Sequence, residues 1–134
     1  NSYDIICNFF YNNGVKYAER LTPTWKPEER RIYTNNRLLN LGYYYFENEN
    51  DEEARRIWNA ALNMKPRVAA SAAVNLAWFY EEDGNFSSAK ALLEAALKTL
   101  QANNISNNLS VYITDYIKRL EKRIKDETKI MDQL

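Results

Sequence analysis

The chain contains no histidine. The side chain most used for proton transfer near neutrality, and the commonest ligand of transition metals, is therefore missing. Ser-His-Asp, Cys-His and His-metal sites are excluded with it. One cysteine, Cys7 in "IICNFF", has no partner for an internal disulfide. With apolar neighbours and no cation close in sequence, it reads as a small buried hydrophobe and not as a nucleophile. Glycine-rich phosphate loops and cysteine clusters are absent. Three Gly and three Pro leave room for long helices and few tight β-turns. Charge of one sign is also lacking. There are 18 basic and 18 acidic residues, with nine of each in 1–66 and nine of each in 67–134. A nucleic-acid binder would carry a basic excess, so nucleic acid is not an expected partner. No apolar run reaches the roughly 18 residues a membrane-spanning helix needs, and no signal peptide is present. The chain opens at Asn1 inside a stretch expected to be helical, so it is expected to be a fragment of a longer protein, with any export signal upstream.

What the chain does contain is enough apolar material for a packed core: 46% of residues are hydrophobic and 13% aromatic. These residues recur. Asn40, Leu41, Tyr45, Ala54, Trp58 and Ala61 are followed thirty-five positions later by Asn75, Leu76, Tyr80, Ala89, Leu93 and Ala96, and Gly42 by Ala77. One offset holds across two helical segments. The small residues Gly42, Ala54, Ala77 and Ala89 mark where paired antiparallel helices approach, because larger side chains there would force the helices apart. Leu41, Tyr45 and Trp58 are expected to fill the space around that contact. Pro66 lacks an N–H and is expected to stop the first unit.

The pattern resembles the tetratricopeptide repeat. Residues 35–68 carry Leu38, Leu41-Gly42, Tyr45, Ala54, Trp58, Ala61 and Pro66; residues 70–103 carry Ala73, Leu76-Ala77, Tyr80, Ala89, Leu93 and Ala96, with "DGNF" (Asp83 to Phe86) as the inter-helix turn. The second unit departs from the family at Gln101, where Pro is usual. The resemblance implies an all-α, TPR-like antiparallel helix-hairpin array: a short, right-handed α-solenoid of about six helices in which stacking buries the face each hairpin leaves open.

The flanks are expected to complete the array. Residues 3–21 read as a helix through Ile5, Ile6, Phe9, Phe10, Val15, Tyr17, Ala18 and Leu21, with Gly14 weakening its centre. A second helix is expected from about Pro27 to Glu47, with Glu28 and Glu29 near its positive end. Ile113, Tyr116, Ile117, Leu120 and Ile124 fall at helical spacing and predict a capping helix over 107–130, its charges solvating the outer face. The Asn-rich "QANNISNN" before it is turn-like, and Asn85, Asn104 and Asn108 each begin an N-x-Ser tripeptide.

Enzymatic chemistry has little to work with. The carboxylate pairs Glu28-Glu29, Glu52-Glu53, Glu81-Glu82 and Asp126-Glu127 are expected to be solvated at helix ends or on charged faces. No catalytic residue, cofactor or metal ion is expected. In a stacked array the first helix of each unit lines a concave surface. By the family pattern its exposed positions are Asn36, Asn40, Tyr43 and Glu47, then Ser71, Asn75, Trp78 and Glu82. Either Asn40 and Asn75 use their amides to hold the backbone of an extended peptide, or they brace neighbouring helices. Tyr43 and Trp78 are either flat apolar contacts or core. Glu47, Glu81 and Glu82 favour a neutral or basic ligand.

"GVKYAERLTPTW" (Gly14 to Trp25) and "AAVNLAWFYEEDGNFSSAKALLEAAL" further resemble the C-terminal part of an uncharacterised family of Bacteroides-type envelope lipoproteins. That resemblance implies a cell-envelope location on the periplasmic side, a lipid anchor upstream of Asn1, and no catalytic residues. The expected function is a non-enzymatic protein–protein interaction or scaffold module with an unidentified protein or peptide partner. The competing expectations are a structural domain packed against its own N-terminal region, and an enzyme using carboxylates in the groove.

Overall fold

A computed structural model describes residues 9–12, 14–21 and 27–134, with side chains over 14–16 and 30–134. Three strands, β1 (Phe9–Asn12), β2 (Val15–Leu21) and β3 (Pro27–Tyr33), precede five helices: α1 (Arg37–Glu47), α2 (Asp51–Ala61), α3 (Pro66–Glu82), α4 (Phe86–Ala102) and α5 (Asn108–Asp132). The described chain is thus mostly helical, with five helices among the described residues against the six or so expected.

The strands correct two expectations. Where a helix was expected over 3–21, the described residues form β1 and β2, paired antiparallel from Phe9↔Ala18 to Asn12↔Val15. The reason lies in Asn13-Gly14, a two-residue turn sequence of the kind that closes hairpins. Gly14 adopts φ +79, which an α-helix cannot carry. Cys7 and the rest of the expected helix, residues 3–8, lie outside the described residues. The helix expected from Pro27 to Glu47 begins only at Arg37. Pro27 opens β3 instead, a place where its missing N–H is tolerated, and β3 pairs with β2 from Val15↔Tyr33 to Leu21↔Pro27. Thr34 ends the sheet by donating from its N–H and hydroxyl to the Gly14 carbonyl (2.6 and 2.8 Å). Asn36 then caps α1, its side chain accepting from the Leu38 N–H at 2.9 Å.

The helices follow from local chemistry. Asparagine caps four of the five: Asn36, Asn50, Asn85 and Asn107, the last within a capping box with Ser110. α3 opens instead on Pro66 at its first position. Pro66 therefore starts a helix; α2 has already ended at Ala61. The turns between paired helices repeat at the same offset. Glu49 and Gly84 adopt φ 62 and 74, and the N–H groups of Asn50 and Asn85 reach back to the carbonyls of Tyr45 and Tyr80, both at 2.8 Å. This is a left-handed closure that satisfies the last helical carbonyls. Asn104 (φ 57) ends α4 the same way, with Ile105 N–H bonded to Leu100 O at 2.9 Å.

α3 is the central element. Residues 70–79 are buried without a break, because α1, α2, α4, α5 and β3 all pack against it. Its sequence, small or apolar on every side, suits a helix enclosed all round. Ala54 and Ala89 are fully buried, as are Gly42 and Ala77. Trp58 sits among Phe46 and Phe79 at ring distances of 5.7 and 5.8 Å and donates from Nε1 to the Leu39 carbonyl at 3.1 Å. Leu41 does not fill this space: it is 45% exposed. Among the described residues no helix is long and apolar enough to cross a membrane.

Candidate functional site

The residues that converge from furthest apart lie where β3 crosses α1, α3 and α5. β3 is an edge of its sheet, since β2 pairs on one side only. Backbone groups on its other edge would be left without partners if buried there. Two side chains supply partners to three of them. The Asn75 amide of α3 accepts from the Tyr33 N–H (2.8 Å) through Oδ1 and donates to the Tyr33 carbonyl (2.9 Å) through Nδ2. The Tyr112 hydroxyl of α5 accepts from the Arg31 N–H at 3.3 Å. Asn75 is 1% exposed, so its bonds are shielded from water.

Six residues further along α3, nearly two turns, Glu81 faces the same strand. Its Oε2 accepts from Arg30 Nη2 and its Oε1 from the Tyr116 hydroxyl. All three side chains are buried. The Arg30 guanidinium also lies over the Tyr116 ring, 4.8 Å from its centroid. Burial holds the Tyr116 hydroxyl well above the ordinary tyrosine range; the Arg30 charge opposes that rise, and the Glu81 carboxylate and its hydrogen bond reinforce it. Around this pair Arg31 and Arg119 lie 4.8 and 5.7 Å from the Tyr112 ring centroid, and Tyr33 meets Tyr112 edge-on at 6.3 Å. The result is a strand fastened to two helices, α3 and α5, by two backbone clamps and one buried ion pair.

The residues expected to line a groove divide. Asn75, Ser71 and Trp78 are buried; Ser71 bonds its own helix at the Arg67 carbonyl (2.9 Å), and Trp78 meets Phe46 edge-on at 5.5 Å. Tyr43 is buried and donates to Glu47 Oε2 at 2.7 Å. Asn36 is the α1 cap, Asn40 and Glu47 are exposed, and Glu82 is half-buried. Asn75 alone of the eight holds an extended backbone, and that backbone belongs to its own chain. Its counterpart Asn40 stands in solvent. Sequence reasoning missed Arg30, Tyr33, Glu81, Tyr112 and Tyr116 as a set. Glu81 was expected to be solvated with Glu82, yet it is 4% exposed. Of the acidic positions expected to favour a neutral or basic ligand, Glu81 meets Arg30 of the same chain.

One family model, described as a domain of unknown function (DUF6340), matches residues 41–122. The chain belongs to the DUF6340 family. The DUF6340 match opens within α1 and closes within α5, so it takes in Asn75, Glu81, Tyr112 and Tyr116 and leaves β3 outside. No curated protein and no solved structure matches this DUF6340 chain.

Proposed function

We propose that this chain is a non-enzymatic scaffold module: a short tetratricopeptide-like array whose inner face grips an extended segment of the same chain. The inner helices α1, α3 and α5 serve as the first helices of successive units, and β3 occupies the concave side. The observation that carries the reading is the paired bonding of Asn75 to the N–H and carbonyl of Tyr33. A side chain that satisfies both backbone groups of one residue recognises an extended strand whatever its sequence. The Arg30–Glu81 pair adds the selectivity for a basic residue three positions earlier. Resemblance to envelope lipoproteins supports a place for this scaffold on the periplasmic side, tethered upstream. In that setting the array joins the N-terminal part of a longer protein to its helical end. The second reading, a docking surface for a protein or peptide partner, draws on Asn40, which offers the same amide to solvent.

The full chain with Asn75→Ala separates the two. As a joint, it loses about 2–4 kcal/mol in urea unfolding, because the Tyr33 N–H and carbonyl are stranded in a buried site. The Tyr33 amide exchanges faster while far-UV circular dichroism keeps its helical signal. An unchanged urea midpoint together with an unchanged Tyr33 exchange rate would sink the joint. If Asn75→Ala with Trp78→Ala instead abolishes capture of an envelope partner and leaves the melting curve in place, the docking reading takes over.

A further inference from the structure

The 35-residue repeat supplies an internal comparison for the outer face of α1. Leu41 and Tyr44 are 45% and 58% exposed, whereas their counterparts one repeat on, Leu76 and Phe79, are 4% exposed each. Over Phe79 the cover is α2, which packs against α3. Trp58 lies 5.8 Å from the Phe79 ring; the Arg55 guanidinium lies 4.5 Å over that ring, and its Nη2 is 3.8 Å from Asp83 Oδ2. No helix among the described residues does this for α1.

α1 is also charged against its own dipole. Arg37 is its first residue, Glu47 its last, and Glu49 follows in the turn, with no acid in the first turn and no base in the last. A cation at the positive end and anions at the negative end are both unfavourable in an isolated helix. Arg37 makes no ion pair among the described residues.

We propose that this face is a homodimer contact in which α1 of a second copy crosses α1 antiparallel, as α2 crosses α3. A two-fold axis between Leu41 and Tyr44 sets Leu41 of each copy against Tyr44 of the other. Arg37 of one copy then takes the position Arg55 holds on α3. It lies over Tyr44, the counterpart of Phe79, and beside Glu47 and Glu49, which flank Asn48, the counterpart of Asp83. A second copy fits better than a foreign helix because the face is complementary to itself: positive at one end, negative at the other, apolar between. Antiparallel crossing also brings each dipole end to its opposite. One helix face is a small interface, so dimerisation is concentration-dependent.

Sedimentation equilibrium on the full chain, from about 1 μM to about 1 mM, tests this. The expected result is a shift from 15.8 kDa to twice that mass. Arg37→Glu and Glu49→Arg each weaken the dimer by about tenfold, and the two together restore it to near the parent affinity. Tyr44→Ala abolishes the dimer with circular dichroism unchanged. A chain that stays at 15.8 kDa throughout overturns the proposal, as does a dimer that both charge variants leave untouched or one that the combined variant fails to restore.

Discussion

Gly42 lies flat against the indole of Trp58: a methyl group built on its Cα would sit 2.2 Å from Nε1 and 2.5 Å from Cδ1. No ordinary contact is so short, and Trp58 cannot retreat, since Nε1 is held by the Leu39 carbonyl and the ring by Phe46 and Phe79. Gly42→Ala is therefore expected to lower stability by about 1–3 kcal/mol through overpacking. One repeat on, the same two positions hold Ala77 and Leu93, a larger residue beside a smaller one. Trp58→Leu added to Gly42→Ala should then recover part of the loss. Urea unfolding of the two variants checks both statements; a double variant no more stable than Gly42→Ala alone would contradict the volume exchange.

The Arg30–Glu81 pair is expected to matter most when half of it is removed. Arg30→Met leaves the Glu81 carboxylate buried without its cation and should cost about 3–5 kcal/mol. Arg30→Met combined with Glu81→Leu removes both charges and should cost less than Arg30→Met alone. Chemical denaturation of single and double variants measures the coupling, and additive losses would mean the pair is not coupled.

Tyr116 gives a pH dependence of definite sign. An unfolded tyrosine ionises near pH 10, while burial keeps the folded Tyr116 protonated to higher pH. The folded state then binds the proton more tightly, so the stability Tyr116 contributes is complete below about pH 10 and is lost as pH rises from there through the folded value. Tyr116→Phe should be less stable than the parent by about 1.5–3 kcal/mol at pH 8, since it lacks the hydrogen bond to Glu81. The gap should narrow above about pH 10. Urea midpoints of both proteins between pH 8 and pH 11 test this; a constant gap would argue against it.

Glu49 occupies a left-handed backbone position (φ 62) where the equivalent turn carries Gly84 (φ 74). A side chain there costs about 1–2 kcal/mol that glycine avoids. Glu49→Gly should raise the melting temperature at low protein concentration, and Gly84→Ala should lower it, although a Cβ on Gly84 meets nothing within 4 Å. Scanning calorimetry of the pair separates backbone strain from packing.

How far the fold is legible in the sequence depends on the range of the interaction. The seam of Gly42, Ala54, Ala77 and Ala89 shows in the spacing because each small residue is needed wherever two neighbouring helices touch. The turns show too, in "DGNF", whose features recur in Asn48 to Asn50. The sheet was misread because Val15, Tyr17, Ala18 and Leu21 satisfy a helical spacing and a strand alternation almost equally over so short a run. Asn13-Gly14 was the signal that decides between them. Arg30 and Glu81, 51 positions apart, had no mark of pairing; an acid pair on a helix looks the same whether it is solvated or buried.

By itself, then, the amino-acid sequence determined a mostly helical chain with two alike hairpins, because propensity, capping and small-residue spacing act within a turn or between adjacent helices. Only the tertiary structure decided what lies on the inner face. The bonds of Asn75 to Tyr33 and of Glu81 to Arg30 and Tyr116 exist only once two helices and a strand stand in one arrangement. A buried polar group finds its partner through that geometry, which no local pattern encodes.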